Sequence, residues 1–245
     1  KMDLKTGGLL GAEALVRGIS EDGGVVLPDV WLGGLERTGD IRELDLFVLE
    51  RTLAQMEQWR EQGLGVVPVS VNLSRVTLFS PTALASILAI QSRYPQIPSE
   101  ALELELTESG GNVAAASLRE VTDHFRQCGL RVGLDDFGSK YANLSIFTNV
   151  RFDTVKLDRS LIADLTDNPI SRMLVQDIIQ ICRTCGMNCV AEGVENQEQA
   201  AALDKMGCSC AQGYLYAPPL PPEEFEQKYL RSGESTKPNT KGKEE

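Results

Sequence analysis

Seven short apolar runs in this chain each carry, at or near their C-terminal edge, a residue suited to metal or phosphate chemistry. Residues 9–17 carry Glu13, and 66–72 end in Asn72. Residues 101–108 carry Glu105 and Glu108, and 131–136 end in Asp135 and Asp136. Residues 153–158 carry Lys156 and Asp158, 188–192 end in Glu192, and 208–212 end in Gln212. Between most of these runs lie amphipathic stretches long enough for helices. Polar residues repeated at the same end of successive strands are how a parallel α/β barrel assembles an active site. Chance would scatter them over both ends.

The chain has 245 residues, against about 250 for one such barrel. With 42% hydrophobic residues it can bury a substantial core. The net charge of −11 speaks against polymeric nucleic acid, which selects a basic face, but a small anion remains compatible with a pocket holding cations. No apolar run is long enough to span a bilayer and no signal peptide is recognisable. The expected location is the cytoplasm, either free or as the cytoplasmic part of a membrane-anchored protein. Lys1 is not an initiator Met, and residues 9–17 read as the second arm of a hairpin whose first arm is mostly missing. The chain is therefore expected to be part of a longer one. The unit is expected over 1–230, with 231–245, rich in Ser, Thr, Lys and Glu, as a disordered tail.

Helices are expected over 28–39, 41–62 behind an Asp40 cap, 81–94, from Ser109 or Asn112 to 129, 170–186, 197–207 and 222–230. In 41–62 the apolar stripe reads through Leu44, Phe47, Val48, Arg51, Met56 and Trp59. Residues 137–150 show no clear helix and suit a functional loop. Cys182 and Cys185 have the spacing of a zinc or redox pair, yet with Cys189, Cys208 and Cys210 they read as buried thiols. His124 is the only histidine, on an expected surface helix. One histidine excludes a His-rich zinc centre and leaves little room for a Ser-His-Asp mechanism.

Converging Glu13, Asn72, Glu105, Asp135, Asp136 and Glu192 would repel one another unless some took protons or cations filled the space. All offer hard oxygen, which selects Mg²⁺ or Mn²⁺. Asp135 and Asp136 can serve two ions because the chain is leaving the strand there. Lys156 would be a fixed cation beside a phosphate or the attacking water. Arg17 can hold a phosphate at the rim through paired hydrogen bonds.

The chain resembles the EAL-domain family of cyclic-di-GMP phosphodiesterases. The resemblance rests on Glu13-Ala14-Leu15-Val16-Arg17, Asn72-Leu73-Ser74, Glu105-Leu106-Thr107-Glu108, Asp135-Asp136-Phe137-Gly138, Lys156-Leu157-Asp158, Glu192-Gly193-Val194-Glu195 and Gln212-Gly213-Tyr214, in family order. It implies a TIM-like (β/α) barrel of the EAL type, with its first strand largely missing here. It implies hydrolysis of cyclic-di-GMP to linear pGpG with two ions, Mg²⁺ or Mn²⁺. Glu13, Asn72, Glu105 and Asp135 would hold the first ion; Asp135 would bridge to a second, with Asp136 on that side. Lys156 and Glu192 would flank the attacking water, Glu192 as general base. Gln212 would complete the site with Arg17 on the substrate side, supported by Glu195. Glu108 would anchor the loop after Phe137. That loop would couple the metal site to a homodimer interface, under a sensor or GGDEF domain on the N-terminal side. Lys140 stands where the family has Gly, Ala142 and Asn143 where it has Ser, and Gly18 where an aromatic is common. The expected effect of Lys140 is on regulation or dimer coupling. The competing functions are a catalytically silent cyclic-di-GMP receptor and a structural dimerisation module. The full set of ligand positions favours the enzyme.

Overall fold

A computed structural model describes residues 1–107, 115–139 and 144–231. Its strands are β1 (Met2–Asp3), β2 (Ala12–Ala14), β3 (Gly18–Ile19), β4 (Val25–Val26), β5 (Val69–Asn72), β6 (Leu102–Thr107), β7 (Arg131–Phe137), β8 (Thr154–Leu157), β9 (Asn188–Ala191) and β10 (Cys210–Ala211). Eight of them form one sheet in the order β1-β10-β9-β8-β7-β6-β5-β2. From β10 to β2 every neighbour is parallel, as strand–helix–strand crossovers require. β1 pairs antiparallel with β10, and a lone bridge from Met2 to Leu9 joins it to the segment entering β2. The fold is thus a TIM-like barrel with a partial first strand, closed at a thin seam. A turn follows β1: Asp3 Oδ1 accepts from the Lys5 and Thr6 amides, at 2.8 Å each.

The helices are α1 (Leu32–Thr38), α2 (Ile41–Glu61), α3 (Arg75–Leu78), α4 (Ala83–Gln91), α5 (Ala115–Gln127), α6 (Ile146–Asn149), α7 (Arg159–Ala163), α8 (Pro169–Cys185), α9 (Gln197–Met206) and α10 (Pro222–Phe225). A π-helical turn, Glu226–Arg231, ends the described chain. None of the described helices is long and apolar enough to cross a membrane. The core lies between the helices and the outer faces of the strands, where Leu102, Leu104 and Leu106 of β6 are buried. Glu103 and Glu105 alternate with them and face the barrel interior.

Several expectations change. The strand expected over 9–17 shrinks to Ala12–Ala14: its ladder with β5 ends at Ala14, and Leu15, Val16 and Arg17 connect it to the β3–β4 hairpin that begins at Gly18. An added Cβ at Gly18 would lie 3.1 Å from Trp31 Nε1, so the indole occupies the room an aromatic side chain there would need. In α2 the buried face is Ile41, Asp45, Leu49, Thr52, Leu53, Met56 and Trp59, while Phe47 is 59% exposed. Asp45 is the reason. Its carboxylate accepts from the Ser74 amide at 2.9 Å and Thr77 Oγ1 at 2.6 Å, which turns that face inward over α3. Asp40 precedes α2 but does not cap it; its carboxylate accepts from Thr38 Oγ1. The stretch 137–150 contains the short α6. Cys182, Cys189, Cys208 and Cys210 are buried free thiols, whereas Cys185 and Cys128 are exposed. His124 is exposed on α5. Glu108, Ser109, Asn112, Lys140, Ala142, Asn143 and the tail after Arg231 lie outside the described residues.

Candidate metal centre

Among the described residues, each of the seven runs delivers a polar residue to one end of the barrel. Glu13 is central in β2, Asn72 ends β5, Glu105 lies in β6 and Lys156 in β8. Glu192 and Gln212 stand one residue beyond β9 and β10. Room for this traffic comes partly from Gly133 on β7: an added Cβ there would sit 3.3 Å from Glu105 Cγ.

Asp135 and Asp136 reach the site differently from expectation. They lie within β7, not past its end. The pairing of β7 with β8 jumps from Leu134↔Val155 to Phe137↔Leu157, so two residues of β7 stand opposite Lys156 alone. This is a β-bulge, which re-aims side chains that strict alternation would send to opposite faces. Asp136 takes a left-handed backbone, φ 56°, a conformation that Asp tolerates better than most residues. Its amide donates to Asp135 Oδ1 at 2.9 Å.

One ammonium organises the cluster. Lys156 Nζ lies 3.0 Å from Glu13, 2.8 Å from Glu105, 2.9 Å from Asp135 and 2.9 Å from Glu192. It is 1% exposed and Glu105 is 0% exposed. Gln212 Nε2 ties Glu13 Oε2 to Glu192 Oε1, at 2.9 and 2.7 Å. Asn72 Nδ2 donates to Glu13 Oε1 at 3.0 Å, which leaves its amide oxygen as the atom to offer an ion. Two groups of carboxylate oxygens lie within ion-binding reach of one another: Glu13, Glu105 and Asp135, and Asp135, Asp136 and Glu192. Asp135 belongs to both. An all-oxygen donor set is the chemistry of Mg²⁺ or Mn²⁺, so these residues fit a divalent centre.

The electrostatics point the same way. Burial would push Glu13 up, but the Lys156 charge and the hydrogen bonds from Gln212, Lys156 and Asn72 overcome it and hold it at about 2. Asp135 is raised to about 6 by burial, against the pull of Lys156 and with Glu105 and Glu13 adding repulsion. Glu192 is raised to about 8 by burial, again against Lys156, with Asp135 and Glu13 repelling it. Lys156 is raised despite its burial, because Glu13, Glu105, Glu192 and Asp135 surround it. One cation does not neutralise this many carboxylates, and protons fill the deficit.

A pH dependence follows. A carboxyl raised in the folded state binds protons that the unfolded chain has released. Asp135 and Glu192 therefore make the metal-free chain lose stability as pH rises from their ordinary range through about 6 and about 8. Glu13 acts oppositely: its contribution is present above its ordinary range and is lost as pH falls towards about 2. Ion uptake should expel the protons on Asp135 and Glu192, so Mn²⁺ affinity should rise between pH 6 and 8. Calorimetry in buffers of different ionisation enthalpy at pH 7 should register proton release. Uptake with no proton release would show that these carboxyls are already ionised.

Arg17 is half-buried at the rim, with Nη1 donating to the Val16 carbonyl at 2.7 Å. It lines a cavity of about 400 Å³ with Leu15, Leu44, Asp45, Asn72 and Arg75. Glu195 is exposed, and its amide donates to Gln199 Oε1; the fold does not bring it into the carboxylate cluster. The sequence reading missed a deeper layer made by Lys1, Ser70, Glu103 and Thr154. Glu103 carried a usable signal, since it sits two residues before Glu105 and shares its face.

A family model described as EAL domain matches residues 1–219. Signaling protein YkoW of Bacillus subtilis is 31% identical over 219 residues, 89% of this chain and 27% of that protein. Cyclic di-GMP phosphodiesterase RocR of Pseudomonas aeruginosa is 31% identical over 225 residues, 92% of this chain and 57% of that protein. The chain thus spans less than two thirds of the length of these relatives. Among solved structures, the PaMucR phosphodiesterase in its cyclic-di-GMP complex superposes with a TM-score of 0.84 at 28% identity, covering 91% of this chain and 90% of that one. The EAL domain of Mycobacterium smegmatis DcpA gives 0.76 at 29% identity, covering 93% and 92%.

Proposed function

The chain belongs to the EAL-domain family, and we propose that it hydrolyses one phosphodiester bond of cyclic-di-GMP to give linear pGpG. The observation that carries this reading is the sharing of Asp135 between two groups of carboxylates that meet around Lys156. Glu13, Asn72, Glu105 and Asp135 would hold one Mg²⁺ or Mn²⁺, and Asp135 with Asp136 a second. Two ions so held would stabilise charge on the phosphoryl oxygens and lower the pKa of water.

The chain's own residues supply the rest. Glu192 receives Gln212 and Lys156 through Oε1, which leaves Oε2 to take a proton from the attacking water. Water oxygen bonds to phosphorus, the bond from phosphorus to the 3′ oxygen breaks, and that oxygen takes a proton from solvent to become the free hydroxyl, while Glu192 returns its own proton to solvent. Lys156 offsets the charge of the carboxylates around it; that charge falls at Glu192 as the proton arrives and grows on the phosphoryl oxygens. Arg17, beside the rim cavity, would orient a phosphate, and the cavity's mixed apolar and polar lining suits one guanosine. Glu195 and Glu108 are proposed to act around this centre, by supporting the substrate side and by anchoring the loop after Phe137. Family membership also motivates a homodimer and an N-terminal sensor or GGDEF domain.

The test is product analysis. Protein supplied with cyclic-di-GMP and Mn²⁺ should release pGpG, and excess chelator should stop it. Glu192→Ala should lose turnover by about 10²–10⁴-fold, the usual worth of a general base, while keeping most substrate affinity. Arg17→Ala should weaken affinity more than the chemical step. Cyclic-di-GMP and metal binding without pGpG would replace the enzyme with the silent receptor. Loss of all binding in folded Glu192→Ala would remove Glu192 from the base role.

A further inference from the structure

We infer that Lys1 is a positioning residue for Glu105, holding it ready for a divalent ion; this rests on the metal-centre reading above. Lys1 Nζ donates to Glu105 Oε1 at 2.8 Å, to Ser70 Oγ at 2.9 Å and to Glu103 Oε1 at 3.1 Å. The other oxygen of Glu105, Oε2, faces Lys156 at 2.8 Å. Two lysines therefore grip the fully buried Glu105 from opposite sides.

Their situations differ. Lys156 also touches Glu13, Asp135 and Glu192, so an ion drawn to those carboxylates competes with it directly. Lys1 stands outside that competition, because its remaining partners, Ser70 and Glu103, belong to neither group of candidate ligands. Glu103 is fixed in turn by Thr154 Oγ1 at 2.5 Å and by Arg131 at 3.8 Å. Glu105 thus keeps one oxygen anchored to the deeper layer while the other is free to exchange Lys156 for an ion. Without Lys1 the carboxylate would follow Lys156 or turn away.

The sign of one measurement decides the matter. If Lys1 acted only as a positive charge near a cation site, removing it would tighten ion binding. If it positions Glu105, removing it weakens binding, and partners that orient a ligand typically matter by about 10–100-fold in affinity. Mn²⁺ titration calorimetry on the full protein, without substrate, should show Lys1→Met weaker by about tenfold or more. Lys1→Arg should recover part of the loss. Glu103→Gln, which leaves every candidate ligand intact, should weaken binding in the same direction, and it carries the test if Lys1→Met does not fold. Wild-type or tighter Mn²⁺ binding by folded Lys1→Met, or by Glu103→Gln where Lys1→Met does not fold, overturns the role of Lys1 alone. No Mn²⁺ binding by the unaltered protein overturns the metal centre and this role together.

Discussion

Lys156→Met should destabilise the metal-free protein by about 3–5 kcal/mol, the usual consequence of removing one partner from a buried ion pair. The substitution keeps the stem and deletes the ammonium that touches Glu13, Glu105, Asp135 and Glu192. Those carboxyls have two ways to recover: take up protons, or take up a metal. Denaturant unfolding at pH 7 should therefore show a large loss without metal and a much smaller one with saturating Mn²⁺. Turnover should fall by about 10²–10³-fold even with metal, as when one preorganised electrostatic contact is removed from an active site. Equal stability of the two proteins in chelator would mean that Lys156 is not what holds this cluster together.

Gly213→Ala should be nearly as damaging, for a reason unrelated to charge. Gly213 has φ 151°, and an added Cβ would lie 2.3 Å from Val194 N and 2.4 Å from Val194 O. Both are backbone atoms tied into the same turn, since the Val194 amide donates to the Gln212 carbonyl and the Leu215 amide to the Val194 carbonyl. Neither can step aside as a flexible side chain would. Gly193, next to Val194, is equally confined: its Cβ would meet Arg159 Cβ at 2.4 Å. The loops after β9 and β10 therefore cross in backbone contact, and this crossing places Glu192 within reach of Gln212. We expect Gly213→Ala to cost about 3 kcal/mol or more, at the upper end for overpacking. Turnover should fall with it, because Gln212 and Glu192 separate. A thermal melt and an activity assay matching the parent would show that the crossing can relax.

Much of this was legible in the sequence. Glu13, Asn72, Glu105, Lys156, Glu192 and Gln212 stand where strand-end reading puts them, because parallel strands deliver the same end of each run to one face. What the reading lacked were consequences of contacts between distant segments. The inward face of α2 holds at Met56 and Trp59 but departs from the expected stripe in its first half, where Phe47 is exposed and only the fold shows that Asp45 is needed at Ser74 and Thr77. The strand through Glu13 is shorter than its apolar run because the ladder with β5 ends at Ala14. Beyond sharing a face with Glu105, Glu103 gives no ligand signal in the sequence because its partners, Lys1 and Thr154, lie on distant segments. Asp135 and Asp136 come together with the cluster through a bulge and not, as the sequence suggests, through an exit from the strand.

That bulge bears on how such a site can be lost over generations. Point substitutions can dim the centre one side chain at a time, and each is reversible by a single further change. Deleting one residue between Leu134 and Phe137 is a different event. It would remove one of the two aspartates and restore plain alternation in β7, leaving the other opposite Lys156 and Phe137 still paired with Leu157. Descendants of that event would keep a barrel and a nearly unchanged composition, yet no sequence of substitutions would return the second carboxylate without an insertion at the same place.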